Sequence, residues 1–443
     1  MASAAEQLAA NLNLGAFAKA DALKKRILFT LGALLVYRLG TYIPMPGINP
    51  EALAQAFSSQ SSGLIGMFNM FSGGAISRMA IFALGIMPYI SASIIMQLMT
   101  SIVPTLEALK KEGEQGRKVI NQYTRYGTVI LSVLQAYGIA VGLEGATNVV
   151  TDPGMFFRLT TVITLTGGTM FLMWLGEQIT SRGIGNGISL IIFSGIVANL
   201  PSALVSTLEL GREGALSTGI ILVIAVVAIV VIGVIVFVER AQRRLLIQYP
   251  KRQVGNRMFQ GDSSHLPLKL NTSGVIPPIF ASSLLLLPVT LANFSGGGGP
   301  SWLTTITAMV GHGQPLYMLL YAALIIFFAF FYTAVVFNPT DTADNLKKHG
   351  GFIPGIRPGA KTAEYIDYVL TRITVVGAIY LVGVCLLPEF LISYAGVPFY
   401  LGGTSLLIVV SVTMDTVSQV QGHLLAHQYE GLVKKAKLRG KTR

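Results

Sequence analysis

Leu64–Thr100, LIGMFNMFSGGAISRMAIFALGIMPYISASIIMQLMT, is the stretch whose reading decides the fold of this chain. It is apolar over 37 residues, whereas one bilayer crossing takes roughly 20. The run must therefore break. Ser72-Gly73-Gly74 is the natural place, because two residues without a Cβ permit a sharp change of direction. The expected outcome is a half-helix over about 64–73, a hinge, and then a full span. Broken backbone at membrane depth is tolerated only where it is buried in protein or lines a water-filled cavity, so the interruption marks the working part of the molecule.

The rest of the chain fits that setting. Its 443 residues are 52% hydrophobic and only 12% charged, with a mean hydropathy of +0.63, which is a polytopic membrane composition. Apolar runs give ten spans at about 27–43, 79–100, 121–142, 157–177, 184–206, 216–238, 274–293, 315–337, 370–391 and 401–421. Lys24-Lys25-Arg26 precedes the first run like the basic flank of a signal peptide, but no small-x-small cleavage site follows, so this is a retained span. Residues 1–22 are expected to form a surface helix at the membrane.

Of the 32 Lys and Arg, 28 lie in or beside segments on the side of the two termini, which makes that side cytoplasmic. The formal charge of +12 is thus first a topology signal, and ribosomal RNA is the one nucleic-acid partner it leaves open. Ten spans divide into two sets of five that start from opposite sides of the membrane. The expected fold class is an all-α polytopic membrane protein with ten transmembrane helices as two inverted five-helix halves, plus the half-helix. The expected units are a cytoplasmic segment 1–26, a first half 27–206 that includes 64–74, a second half 207–421, and a basic tail 422–443. Long cytoplasmic loops occupy 239–273 and 338–368. Alternation around Leu245, Ile247 and Tyr249 predicts a short β-hairpin in the first of them.

Catalytic constellations are absent from the sequence: there is no P-loop, HEXXH or GxSxG, and no Cys or His pair at metal spacing. His423 and His427 stand four apart without an acidic third ligand, so neither a metal nor a cofactor is expected. Cys385, the one cysteine, sits in an apolar run as packing. An ion-coupled transporter needs ionisable groups at mid-membrane, and among the 20 acidic residues Asp415 alone lies well inside a span.

Isoleucine occupies the middle instead. Ile86 and Ile90 share a face of span 2, Ile188 and Ile192 share a face of span 5, and Ile279 and Ile408 stand in spans 7 and 10. At 1.5 Å per residue most fall roughly 10–16 Å deep, near one plane. Periodicity alone leaves two readings open, lipid-facing side chains or a sealed interior, and the first is the commoner fate. Isoleucine suits a seal because it is stiff at Cβ and offers water no hydrogen bond, so a narrow ring of it dewets.

MFNMFSGGAISR at 67–78, LGIMPYISASII at 84–95, WLGEQITSRGIGNGISLIIFSGIVANLP at 174–201, HLPLKLNTSGVIPPIFASS at 265–283, FNPTDTADNLKK at 337–348, IPGIRPG at 353–359 and PFYLGGTSLLIVV at 398–410 are similar to the motifs of the SecY family, the channels of the bacterial protein-conducting translocon. The resemblance implies a plug at Leu64 to Ser72 that includes Met67, Phe68, Asn69 and Phe71, with Gly73-Gly74 as its hinge. It implies a pore ring of Ile86, Ile90, Ile188, Ile192, Ile279 and Ile408, and a lateral gate between spans 2–3 and 7–8 to which Ser91 and Gln97 contribute. It further implies docking of the ribosome and the SecA motor at Lys251, Arg252 and Arg357, and assembly with the membrane subunits SecE and SecG. Signal-bearing polypeptides would be the cargo, membrane lipids the surroundings, and a bacterial inner membrane the location. The competing readings are a secondary transporter of small solutes, from the broken helix and inverted topology, and a ribosome receptor without a pore.

Overall fold

The computed structural model describes residues 21–60, 69, 72–145, 148–213, 217–250, 252–254, 257–259, 263–294, 314–395 and 403–439. Helices α1 (Asp21–Gly40), α2 (Pro50–Gln60), α3 (Met87–Ile102), α4 (Pro104–Lys111), α5 (Glu114–Glu144), α6 (Met155–Arg182) and α7 (Gly187–Arg212) make up the first part of the chain. Next come α8 (Thr218–Arg240), strands β1 (Gln242–Gln248), β2 (Arg252–Val254), β3 (Arg257–Phe259) and β4 (Ser263–Lys269), α9 (Ile276–Phe294), α10 (Pro315–Val336), α11 (Pro339–Lys348), α12 (Ala360–Ala395) and α13 (Gly403–Arg439).

The ten expected spans correspond to α1, α3, α5 to α10, α12 and α13. Glu114–Glu144, Met155–Arg182, Gly187–Glu209, Gly219–Arg240, Pro315–Lys348 and Ala360–Pro388 are each apolar enough over sufficient length to cross a bilayer. Within α8, Leu222, Val223, Ile229 and Phe237 are exposed, as a lipid-facing helix requires. Helices α2, α4 and α11 are short and are not among these ten. α3 and α4 meet at 98°, because Pro104 disfavours helical backbone at Val103, which is extended at φ −95° and ψ 116°.

Span 2 departs from the expected 79–100. Its helix starts only at Met87, and residues 72–86 form consecutive turns with positive φ at Gly73 (68°), Gly74 (82°), Met79 (46°) and Gly85 (57°). A left-handed residue cannot continue a right-handed helix, and the apolar pattern carries no trace of it at Met79. The freed backbone groups find partners in the loop after α1: Met45 N–H donates to Met79 O at 2.9 Å and Ile81 N–H to Ile43 O at 3.0 Å. This satisfies the requirement that non-helical backbone at depth be paired within the protein.

The two long loops expected at 239–273 and 338–368 form one body. β1 pairs antiparallel with β4, from Gln242 opposite Lys269 to Gln248 opposite Ser263, and β2 pairs with β3. The expected hairpin is thus present as two ladders, with Leu245 and Ile247 buried, Leu246 exposed between them, and Tyr249 beyond the strand. Gln248 and Phe352 exchange backbone hydrogen bonds of 2.9 and 3.0 Å, tying the hairpin to the second loop. Leu245, Leu268, Ile353, Ile366 and Ile373 form the core beneath.

Small residues set the closest approaches elsewhere. Thr180 Oγ1 accepts from Gly187 N–H at 2.9 Å across the tight turn between α6 and α7. A Cβ on Gly187 would overlap the carbonyl of Gly176 and lie 2.8 Å from Cβ of Ile179.

Candidate functional site

Four helices carry the isoleucines. Ile86 is the residue before α3, where Pro88 in the first turn loses no hydrogen bond by lacking an N–H. Ile188 and Ile192 lie in the first turns of α7, whose cap is Asn186, its Oδ1 accepting from Ile188 N–H at 3.1 Å. Ile279 follows Pro277-Pro278 at the start of α9, and Ile408 stands in the second turn of α13. All six belong to one packed apolar cluster. Ile86, Ile90, Ile192 and Ile408 are at most 7% exposed, and Ile188 and Ile279 are half-buried against that cluster. Side chains facing lipid would be exposed in the isolated chain, so of the two readings left open by periodicity this packing favours the interior one.

Against the cluster lies a cavity of about 20 Å³, lined by Ser72, Ile86, Ile90 and Ile192 among others. That is room for about one water. Ser72 is the point where the expected hinge segment meets the isoleucines. Its hydroxyl donates to Asn69 O at 3.0 Å, Gly74 N–H donates to the same oxygen at 2.7 Å, and Asn69 Oδ1 accepts from Ser77 N–H at 2.9 Å. Asn69 thus organises the turns from Ser72 to Ser77 locally. Met67, Phe68 and Phe71 lie outside the described residues.

Arg38 is a part of this site whose role the sequence reading missed. From α1 its guanidinium donates to Gly73 O at 2.7 Å and to the Tyr42 hydroxyl at 3.2 Å. Arg38 and Arg78 both lie over the Tyr42 ring, at 5.2 and 4.0 Å from its centroid. The available signal was a basic residue inside a span, which calls for a named partner. Here the partner is a backbone carbonyl rather than a carboxylate.

At the expected gate, α3 meets α9 and α5. Ser283 Oγ donates to Met87 Sδ at 3.9 Å between α9 and α3, and Phe280 packs edge-on against Phe328 of α10 with centroids 5.6 Å apart. Ser91 is half-buried on α3. Gln97 Oε1 is buried without a hydrogen-bond partner among the described residues, an arrangement that destabilises the packing around it.

At the expected docking surface Arg357 is exposed, in a loop shaped by Gly355 (φ 81°) and Gly359 (φ 106°), and its carbonyl accepts from Thr362 Oγ1 at 3.0 Å. Lys251 lies outside the described residues, as does the Arg252 side chain. Asp415 is exposed on α13 and away from the isoleucines' packing.

Comparison with known proteins gives a consistent result. The family model for SecY matches residues 80–417. The chain is 58% identical over 422 residues to the protein translocase subunit SecY of Escherichia coli K12, covering 94% of this chain and 95% of that one. It is 57% identical over 421 residues to the same subunit of Rickettsia conorii, covering 94% and 97%. Among solved structures, a protein conducting channel aligns with a TM-score of 0.64 at 18% identity, covering 90% of this chain and 92% of that one. Sec61 from a canine ribosome-channel complex aligns at 0.60 and 17% identity, covering 90% and 92%. At these identities the structures speak for the fold.

Proposed function

This chain belongs to the SecY family, and from that premise we propose how its own residues carry out the work of a protein translocase channel. It is the channel subunit of a protein translocase, a multi-pass membrane protein and not an enzyme. An unfolded polypeptide cannot expose its backbone to lipid, so it needs an aqueous path, and that path must not leak ions. The ring of Ile86, Ile90, Ile188, Ile192, Ile279 and Ile408 closes the path by dewetting, and the segment ending at Ser72 closes it from the outer side. Gly73-Gly74 is the hinge on which that segment moves. Because the ring is apolar and made of separate helices, it refits around side chains of any sequence. Sufficiently apolar segments leave sideways between α3–α5 and α9–α10, past Ser91 and Gln97, with hydrophobicity as the criterion.

The observation that carries this reading is the gathering of six isoleucines from four helices into one cluster with the hinge residue Ser72 at its edge. A secondary transporter of small solutes is not favoured, since Asp415, the one carboxylate expected well inside a span, stands apart from that cluster. The location we infer is a bacterial inner membrane with both termini cytoplasmic, supported by the basic residues of α4, the hairpin and the tail. The partners we infer are SecE and SecG in the membrane, and the ribosome or the SecA motor on the platform of Lys251, Arg252 and Arg357.

A stalled, signal-bearing nascent chain should crosslink to a photoprobe at Ile86 or Ile192 and not to one at the lipid-exposed Ile229. Solute uptake by vesicles with no such crosslink would overturn the channel reading. Arg357→Glu should slow motor-driven export about tenfold or more, as charge reversal at an interface can, while the variant itself still inserts into the membrane. Export at the normal rate would remove Arg357 from the docking surface.

A further inference from the structure

The junction between the cytoplasmic hairpin and α9 is held by one buried amide. Asn271 is 4% exposed, and its side-chain nitrogen donates to Glu239 Oε1 at 2.7 Å and to Gly274 O at 3.1 Å. Its oxygen accepts from Ser273 Oγ at 3.1 Å, and Ser273 is itself buried. One side chain therefore ties the last turn of α8 to the residues just before α9. Glu239 is poorly placed for helix stability, since a carboxylate at a helix C-terminus opposes the helix dipole. Its position makes sense as the acceptor of a charge-assisted hydrogen bond from Asn271. The other charged groups acting on Glu239 are Lys269 of β4 and Asp415 of α13.

On either side of Asn271 the junction differs in freedom. Leu270 N–H donates to Ala241 O at 2.9 Å, extending the β1–β4 ladder to the root of the hairpin. Leu270 O lies 2.8 Å from where Gly377 of α12 would carry a Cβ, so α12 backs that residue closely. Gly274, by contrast, adopts φ +63° with no atom within 4 Å of its Cβ position. The hairpin side is thus clamped, the α9 side is open, and Asn271 stands between them.

Resting on the channel reading above, we propose that Asn271 is a positioning residue for gating: through Glu239 and Gly274 it sets the start of α9, so that displacement of the hairpin by a docked partner moves α9 away from α3. The pair acts on the contact between Ser283 and Met87, which reports whether α9 and α3 are together.

The test uses the full-length chain in proteoliposomes, with cysteines introduced at positions 87 and 283 and a short bifunctional crosslinker. Asn271→Asp puts a carboxylate against Glu239 and should lower the crosslinking yield about fivefold or more, the lower end of usual coupling between sites. It should also raise export of a preprotein with a defective signal sequence, a gain that mere loss of folding does not give. Glu239→Gln in the same chain returns a donor to the 239–271 pair, though not to Gly274 O, and should recover at least about half of the lost yield, by the same scale. An unchanged yield in Asn271→Asp overturns the proposal. So does a loss that Glu239→Gln fails to rescue even in part, because the tie to α8 would then play no part in positioning α9. Failure of the channel reading shows separately, as absence of the nascent-chain crosslink at Ile192 in the unsubstituted protein.

Discussion

Serine at Ile86, Ile90, Ile192 and Ile408 together raises the resting ion conductance of the reconstituted channel by one to two orders of magnitude. The cluster of which these four side chains are part borders a cavity of about 20 Å³. Each Ile→Ser change removes apolar volume and adds a hydroxyl that binds water, and burying an isoleucine is worth about 1.5–3 kcal/mol. A tenfold change in flux needs only about 1.4 kcal/mol off the barrier. A wetted constriction is therefore within reach of even one substitution, and Ile192→Ser alone should move conductance in the same direction by a smaller factor. Planar-bilayer recording measures it, with serine at the exposed positions Ile163 and Ile229 as the comparison. Equal conductance in the fourfold variant and the parent would place the seal elsewhere.

The second large effect concerns assembly. Gly187→Ala should strip most of the protein from the membrane fraction, because the added methyl overlaps the carbonyl of Gly176 and neither α6 nor α7 can yield at the tight turn joining them. Overpacking usually costs about 1–3 kcal/mol, and backbone against backbone belongs at or above the top of that range. Against a total stability of about 5–15 kcal/mol, this is decisive in a cell. Gly233→Ala and Gly383→Ala, where no atom lies within 4 Å of the new Cβ, should leave the protein at parental levels. Membrane abundance by immunoblot and thermal unfolding in detergent report both. Normal abundance of Gly187→Ala would mean that the α6–α7 turn adjusts freely.

Hydropathy made the ten spans legible because each must be apolar over a bilayer's thickness whatever its neighbours are. The hairpin was legible for a similar reason: its alternation is written in Leu245 and Ile247, which are buried, and Leu246, which is not. Span 2 defeated the reading at its start, since the turn at Met79 is set by φ and by backbone partners at Ile43 and Met45, and no side-chain pattern records either. The joining of the two long loops through Gln248 and Phe352 was invisible on the same ground. Arg38 could be seen as an anomaly inside a span, yet its partner is the carbonyl of Gly73, a group every residue carries. The isoleucines were legible as candidates by spacing, but only packing distinguishes a shared interior from a shared view of lipid.

The isoleucine cluster also has a place in time. Ile86 and Ile408 are 322 residues apart in sequence, whereas Gly176 and Gly187 are neighbours across a single turn. Contacts between distant residues form late, because the long loop between them must first be closed. The α6–α7 hairpin can lock as soon as both helices are inserted, while the cluster lacks a side until α13 arrives. A chain released before its last helix would therefore carry a path through the membrane with an unfinished wall, so truncation near residue 400 should be more toxic to the cell than complete absence of the protein's second half.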